Sequence, residues 1–122
     1  MRIVSKAELQ TMPKGTPFAE YQPDGAWPDG FDIFVGDCGY IDDFYYRSIN
    51  SPEHGGTHEL IERRRDMAAT GATYPVDTAV DREAYYDPDT RYVVWEPDDV
   101  ARIIHLLQGG DDQKDDEVSH DD

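Results

Sequence analysis

Cysteine is nearly absent from this 122-residue chain, in which Cys38 stands alone. No internal disulfide can form, and a fold that does without one suits a reducing compartment. Long apolar runs are missing as well. Nothing approaches the roughly 20 consecutive apolar residues that span a bilayer, and the opening MRIVSKAELQTMPKG has neither the hydrophobic stretch nor the small-residue cleavage site of a secretory signal. These absences predict a cytoplasmic protein. Positive charge is scarce: eleven Lys and Arg face twenty-seven Asp and Glu, a formal net charge of -16. Counterion release drives nucleic-acid binding and requires basic surface, so direct contact with nucleic acid is disfavoured, as is contact with an anionic membrane. Also missing are a nucleophile motif, a phosphate-cradling glycine loop and a dinucleotide fingerprint. The expectation is a protein without catalytic residues or cofactor, acting by binding rather than by catalysis.

What the chain does have is acidity, distributed in two parts. Residues 109–122, GGDDQKDDEVSHDD, hold seven acids against Lys114 and a single large apolar residue, Val118. Burying one valine cannot offset a backbone ordering cost of roughly 1–2 kcal/mol per residue, so this stretch is predicted to be a tail without fixed structure. Residues 1–108 keep twenty acids against ten bases, enough aromatic residues for one compact core, and too little length for a second domain. The predicted folding unit is itself acidic, with a net charge of -10 from those counts.

Local patterns predict an α+β fold in the order α-β-β-β-α-β-α. Ser5 and Glu8 have capping-box spacing for a short opening helix that Pro13 and Gly15 terminate. Strands are expected at 16–22, 31–35 and 44–49, separated by turns in which Pro-Asp-Gly occurs twice, and together they predict an antiparallel meander. Thr57 is placed to cap a helix reaching Thr70, with Gly71 closing it. RYVVWE at 91–96 is the most strand-like segment. Pro97, Asp98 and Asp99 then start a helix whose Val100, Ile103, Ile104 and Leu107 share one face. About four strands, mainly antiparallel, with two or three helices on one face is the predicted architecture.

Other residue clusters carry less. His54, His58 and Cys38 invite a metal reading, but no second ligand pair follows and no metal is expected. Asp87 and Asp89 resemble the start of a calcium loop, yet Tyr92 stands where such a loop needs glycine and Arg91 where it needs an oxygen ligand. Arg63, Arg64 and Arg65 point about 100° apart on a helix and form no single patch.

The segments SKAELQTMPKGTPFAEY, DFYYRSI and RYVVWEPDDVARIIHLL resemble a group of small acidic proteins encoded by tailed phages. The resemblance brings no catalytic residues. It implies a setting in which such proteins, anti-CRISPR proteins and other DNA mimics among them, occupy the nucleic-acid-binding surfaces of host machinery. The expected function is therefore inhibition of a basic, nucleic-acid-binding host protein by an acidic surface. Candidate contacts are Asp24, Asp29, Asp37, Asp42, Asp43, Asp87 and Asp89, all in predicted loops, with Tyr45 as an outward aromatic opposite in direction to Phe44 and Tyr46. A small-molecule binder or small enzyme, and an acidic domain adapted for solubility alone, are the competing expectations. A mimic concentrates its charge on one side; a solubility shell spreads it evenly.

Overall fold

The computed structural model describes residues 1–110. The predicted tail falls almost wholly outside the described residues. Its first member, Gly109, takes a left-handed φ of 78° just after the last helix, a conformation open to glycine without steric cost.

Strands β1 (Arg2–Ser5), β2 (Pro17–Tyr21), β3 (Asp32–Asp37), β4 (Phe44–Arg47), β5 (Val80–Arg82) and β6 (Arg91–Val94) form one antiparallel sheet in the order β1-β6-β2-β3-β4-β5. Helix α1 (Lys6–Leu9) follows β1, α2 (Thr57–Thr70) lies between β4 and β5, and α3 (Pro97–Leu107) follows β6. The α+β class and the meander β2-β3-β4 match expectation. Two strands were not foreseen, so the observed order is β-α-β-β-β-α-β-β-α and the sheet has six strands rather than about four. Strand β1 is four residues on a sheet edge, and β5 is three exposed residues. Neither is long enough to show a period of its own; each exists because a neighbouring strand supplies hydrogen-bond partners.

Alternation builds the core. Val4, Phe18, Phe34, Phe44, Tyr92 and Val94 are buried on one face, and Leu9 of α1 joins them. Phe18 meets Phe44 edge-on with ring centroids 5.4 Å apart and Tyr92 at 5.7 Å, the geometry that sets positive ring edges against negative faces. A bulge between Phe34 and Gly36 shifts the register with β4. It sets Gly36 opposite Tyr45, which alternation turns outward, 39 % exposed, while Phe44 and Tyr46 turn inward.

The predicted helical layer is corrected in one respect. Neither α2 nor α3 buries a residue; the helix that packs on the sheet is the four-residue α1, against β1 and β6. Its capping box is present, with Ser5 Oγ accepting from Glu8 N at 3.1 Å and Glu8 Oε1 accepting from Ser5 N at 3.2 Å. Helix α2 begins after Gly56 rather than being capped by Thr57, and ends as expected at Gly71, φ 74°. Side contacts hold it: Arg63 donates to the Glu53 carbonyl and lies over the Tyr74 ring, and Tyr74 donates to Asp66 at 2.7 Å.

Candidate functional site

Two buried carboxylates organise the loops that present the surface. Lys6 is fully buried at the start of α1, and an ammonium ion in such a place costs several kcal/mol unless it is answered by charge and hydrogen bonds. Glu83 answers it, with Oε1 at 3.1 Å and Oε2 at 3.2 Å from Nζ, and the Asp42 carbonyl accepts a third bond at 3.1 Å. Tyr92 Oη donates to Glu83 Oε2 at 3.2 Å. Burial, and then the neighbouring Glu83 charge and its hydrogen bond, push the Tyr92 phenol well above its ordinary range.

Asp43 is the second carboxylate. It is fully buried, which corrects its assignment as a partner contact. Asp42 takes a left-handed φ of 59° and turns the chain, so of two adjacent acids the first is half-buried and the second fully enters the fold. Asp43 Oδ1 accepts from Phe44 N and Ala84 N, each at 2.8 Å. Arg82 Nε approaches Oδ2 at 3.1 Å as an ion pair, but off the direction of a hydrogen bond, so that oxygen has no well-formed donor. Burial works to raise this carboxyl; the Ala84 and Phe44 amides, the Cys38 thiol and the Arg82 guanidinium outweigh it and hold the pKa below the usual aspartate value.

From Glu83 the chain runs through Ala84 and Tyr86, both at left-handed φ values of 64° and 59°. Such angles in residues with a Cβ cost about 1 kcal/mol each and persist where surroundings enforce them. Here the Asp43 bond to Ala84 N and the Glu83 Oε1 bond to Tyr85 N, 3.2 Å, fix the loop's start; Asp87 Oδ1 accepts from Asp89 N at 2.9 Å and fixes its end. The loop displays Tyr85, 76 % exposed, and Tyr86, then Asp87 and Asp89.

Asp87 and Asp89 meet Asp24. All three line a groove of about 450 Å³ together with Glu20, Tyr21 and Arg91, at the end of the sheet where Tyr21 pairs with Arg91. Arg91 lies over the Tyr21 ring at 5.2 Å. Asp29 lies next door: Glu20, Asp29 and Asp32 line an adjoining depression of about 490 Å³. Burial raises the pKa of Asp32, partly opposed by a hydrogen bond with Ser48. None of Glu20, Asp24, Asp29, Asp87 and Asp89 forms an ion pair among the described residues, whereas elsewhere Glu8 and Glu96 face Arg2, Glu59 faces Arg63, and Asp99 faces the terminal amino group at 2.7 Å. That amino group, with the Glu96 amide, holds Asp99 below the ordinary aspartate range.

The remaining predicted contacts are not brought to this end. Asp37 pairs with Phe44 whereas Asp32 pairs with Phe18, five residues back along β3, which places Asp37 and its turn about 17 Å farther along the strand. Asp42 belongs to that distant turn. Tyr45 is exposed but pairs with Arg82 rather than lining the groove. Sequence reading also omitted Trp27, 57 % exposed between Asp24 and Asp29. A signal existed: a tryptophan between two Pro-Asp-Gly turns sits in chain too short and too polar to cover it.

No group of three or more His, Cys, Asp or Glu among the described residues is arranged to hold a metal ion, and no helix among them is long and apolar enough to cross a membrane. Comparison with known proteins finds no matching family model, no matching curated protein and no matching solved structure.

Proposed function

We propose that this chain is a non-enzymatic inhibitor that binds a basic, nucleic-acid-binding protein through the acidic end of its sheet, with carboxylates standing in for phosphates. The carrying observation is the concentration of unpaired charge: Glu20, Asp24, Asp29, Asp87 and Asp89 surround one end of β2 and β6, with Arg91 the one cation lining either depression. A low-dielectric cleft lined by one sign of charge focuses its field and accelerates capture of an oppositely charged partner. Trp27, Tyr85 and Tyr86 are exposed in the segments that bear these acids, and such side chains anchor interfaces while the surrounding charge steers approach. The strained 84–86 loop supports the same reading, since the backbone that carries its aromatics is fixed by hydrogen bonds before any partner arrives.

A shell adapted only for solubility would leave its charges uniformly solvated. The gathering of five acids without an ion pair around one end of β2 and β6 favours a directed surface. The resemblance to small phage-encoded proteins adds a setting: the host cytoplasm, with a nucleic-acid-binding or CRISPR-type defence complex as the target. Affinity capture from host lysate at low salt tests the proposal. Recovery of a nucleic-acid-binding protein that is released by salt and displaced by DNA supports it; recovery of no such protein sinks it.

A further inference from the structure

The segment from Glu83 to Tyr92 is a loop closed at its base by one hydrogen bond, from Tyr92 Oη to Glu83 Oε2 at 3.2 Å. Loops whose ends meet in this way commonly keep their shape by packing their own side chains inward. This one does not: residues 84–89 are all exposed. The left-handed backbone at Ala84 and Tyr86 works against the shape as well. What holds the loop lies beneath it. Glu83 Oε1 accepts from Tyr85 N, and Asp43 Oδ1 accepts from Ala84 N. Lys6 stands behind both acceptors. Its ammonium has three protons to donate and meets three acceptors: the two Glu83 oxygens, at 3.1 and 3.2 Å, and the Asp42 carbonyl, at 3.1 Å, in the turn that carries Asp43. A buried ion pair is a poor source of stability, since well-packed apolar residues of similar volume often do as well; its best-attested use is to fix one arrangement of the chain around it.

We infer that Lys6 is a positioning residue for the partner contact: from inside the fold it clasps Glu83 and the Asp42 turn, and so sets where Tyr85, Tyr86, Asp87 and Asp89 stand. The inference rests on the reading of the acidic end as the surface that meets a basic partner. Lys6 is fully buried and touches no partner itself; it acts through Glu83 and Asp42. One positive charge in the interior thereby governs the placement of negative charge on the surface. A partner then meets carboxylates on a backbone that is already ordered, and less of the binding energy is lost to ordering the loop.

Two variants of the full chain isolate the clasp. Tyr92→Phe keeps the core ring and removes only the hydroxyl that closes the loop. Lys6→Met with Glu83→Gln removes one charge of each sign, from side chains 1 % and 8 % exposed, so the net charge stays at -16 and the surface acids are untouched. Residue-resolved amide hydrogen exchange is the first readout. Ala84 N and Tyr85 N should exchange at least about tenfold faster in the double variant, and faster by a smaller factor in Tyr92→Phe. In both, the change should exceed that at Phe34 N, which is bonded to the Thr16 carbonyl at 2.9 Å within the sheet and reports on the fold as a whole. Loop amides that keep their wild-type rates in both variants, or that accelerate only as much as Phe34 N, overturn the inference. Isothermal titration with an arginine-rich peptide is the second readout, and the double variant should bind it at least about threefold more weakly than wild type despite the equal net charge. Equal affinity overturns the positioning role. A wild-type chain that does not bind the peptide sinks the inhibitor reading instead, and the exchange rates still decide whether Lys6 holds the loop.

Discussion

The Asp43 carboxylate accepts a hydrogen bond from the backbone amide of Ala84 at 2.8 Å, joining the turn before β4 to the loop that displays Tyr85, Tyr86 and Asp87. The bond spans 41 residues of chain. It makes a buried acid responsible for the shape of an exposed surface, and it gives the first test.

Asp43→Ala should destabilise the fold by about 3 kcal/mol, because two amides lose their acceptor and Arg82 its partner. Urea denaturation measures this. The pH dependence has a definite sign. The folded-state pKa lies below the unfolded one, so between them the unfolded chain binds more protons. The contribution is present above the ordinary aspartate range and is lost as pH falls through the folded value. Asp43→Asn should flatten that acid limb relative to wild type; an unchanged limb would show that Asp43 is not what titrates.

Lys6→Met should cost about 3–5 kcal/mol, since it leaves Glu83 charged and buried without its cation. Adding Glu83→Gln should recover a large part of the loss. A double-mutant cycle read by thermal or urea unfolding checks the coupling; strictly additive effects would mean that the 3.1 Å pair contributes nothing as a pair.

Alkaline titration gives a third outcome. The Tyr92 phenol is raised above its unfolded value of about 10. Its stabilisation is complete below that unfolded value and declines as pH rises, because the unfolded chain deprotonates first. Tyr92→Phe should therefore reduce alkaline destabilisation, measured as unfolding free energy between pH 9 and pH 11 or about those limits.

At the acidic end, Trp27→Ala should weaken capture of the basic partner about tenfold or more while leaving folding unchanged, as the ring is 57 % exposed. Asp87→Asn with Asp89→Asn should slow association and reduce its salt dependence, whereas Asp37→Asn should alter either far less. Stopped-flow association rates at two salt concentrations separate these effects.

Helix α2 should exchange its amide hydrogens much faster than β6, because it buries no residue while Tyr92, Val93 and Val94 are buried. Hydrogen exchange followed by mass spectrometry compares the two segments directly.

Much of the fold was legible before any coordinates. Ser5 and Glu8 announced α1, Pro97 and the 3.6-residue recurrence of apolar side chains announced α3, and Gly71 marked the end of α2, because caps and periods are local and need no knowledge of distant chain. Strands β1 and β5 were not legible: their few residues become strands by pairing with β6 and β4. Of the site, Asp24, Asp29, Asp87 and Asp89 were named from loop acidity alone, but so were Asp37 and Asp42, which the β3 register carries to the far end.

The sequence by itself determined the sign and amount of the charge, the small size of the core and the identity of the local helix and turn signals. Tertiary structure decided which charges act together. Asp42 and Asp43 are neighbours with the same side chain, yet one backbone turn leaves the first half-buried and buries the second completely. Lys6 reads as a surface lysine until Glu83 and Tyr92 close around it. In both cases the deciding partners lie far away along the chain, and electrostatic energy depends on distances and burial that only the folded pairing of strands creates.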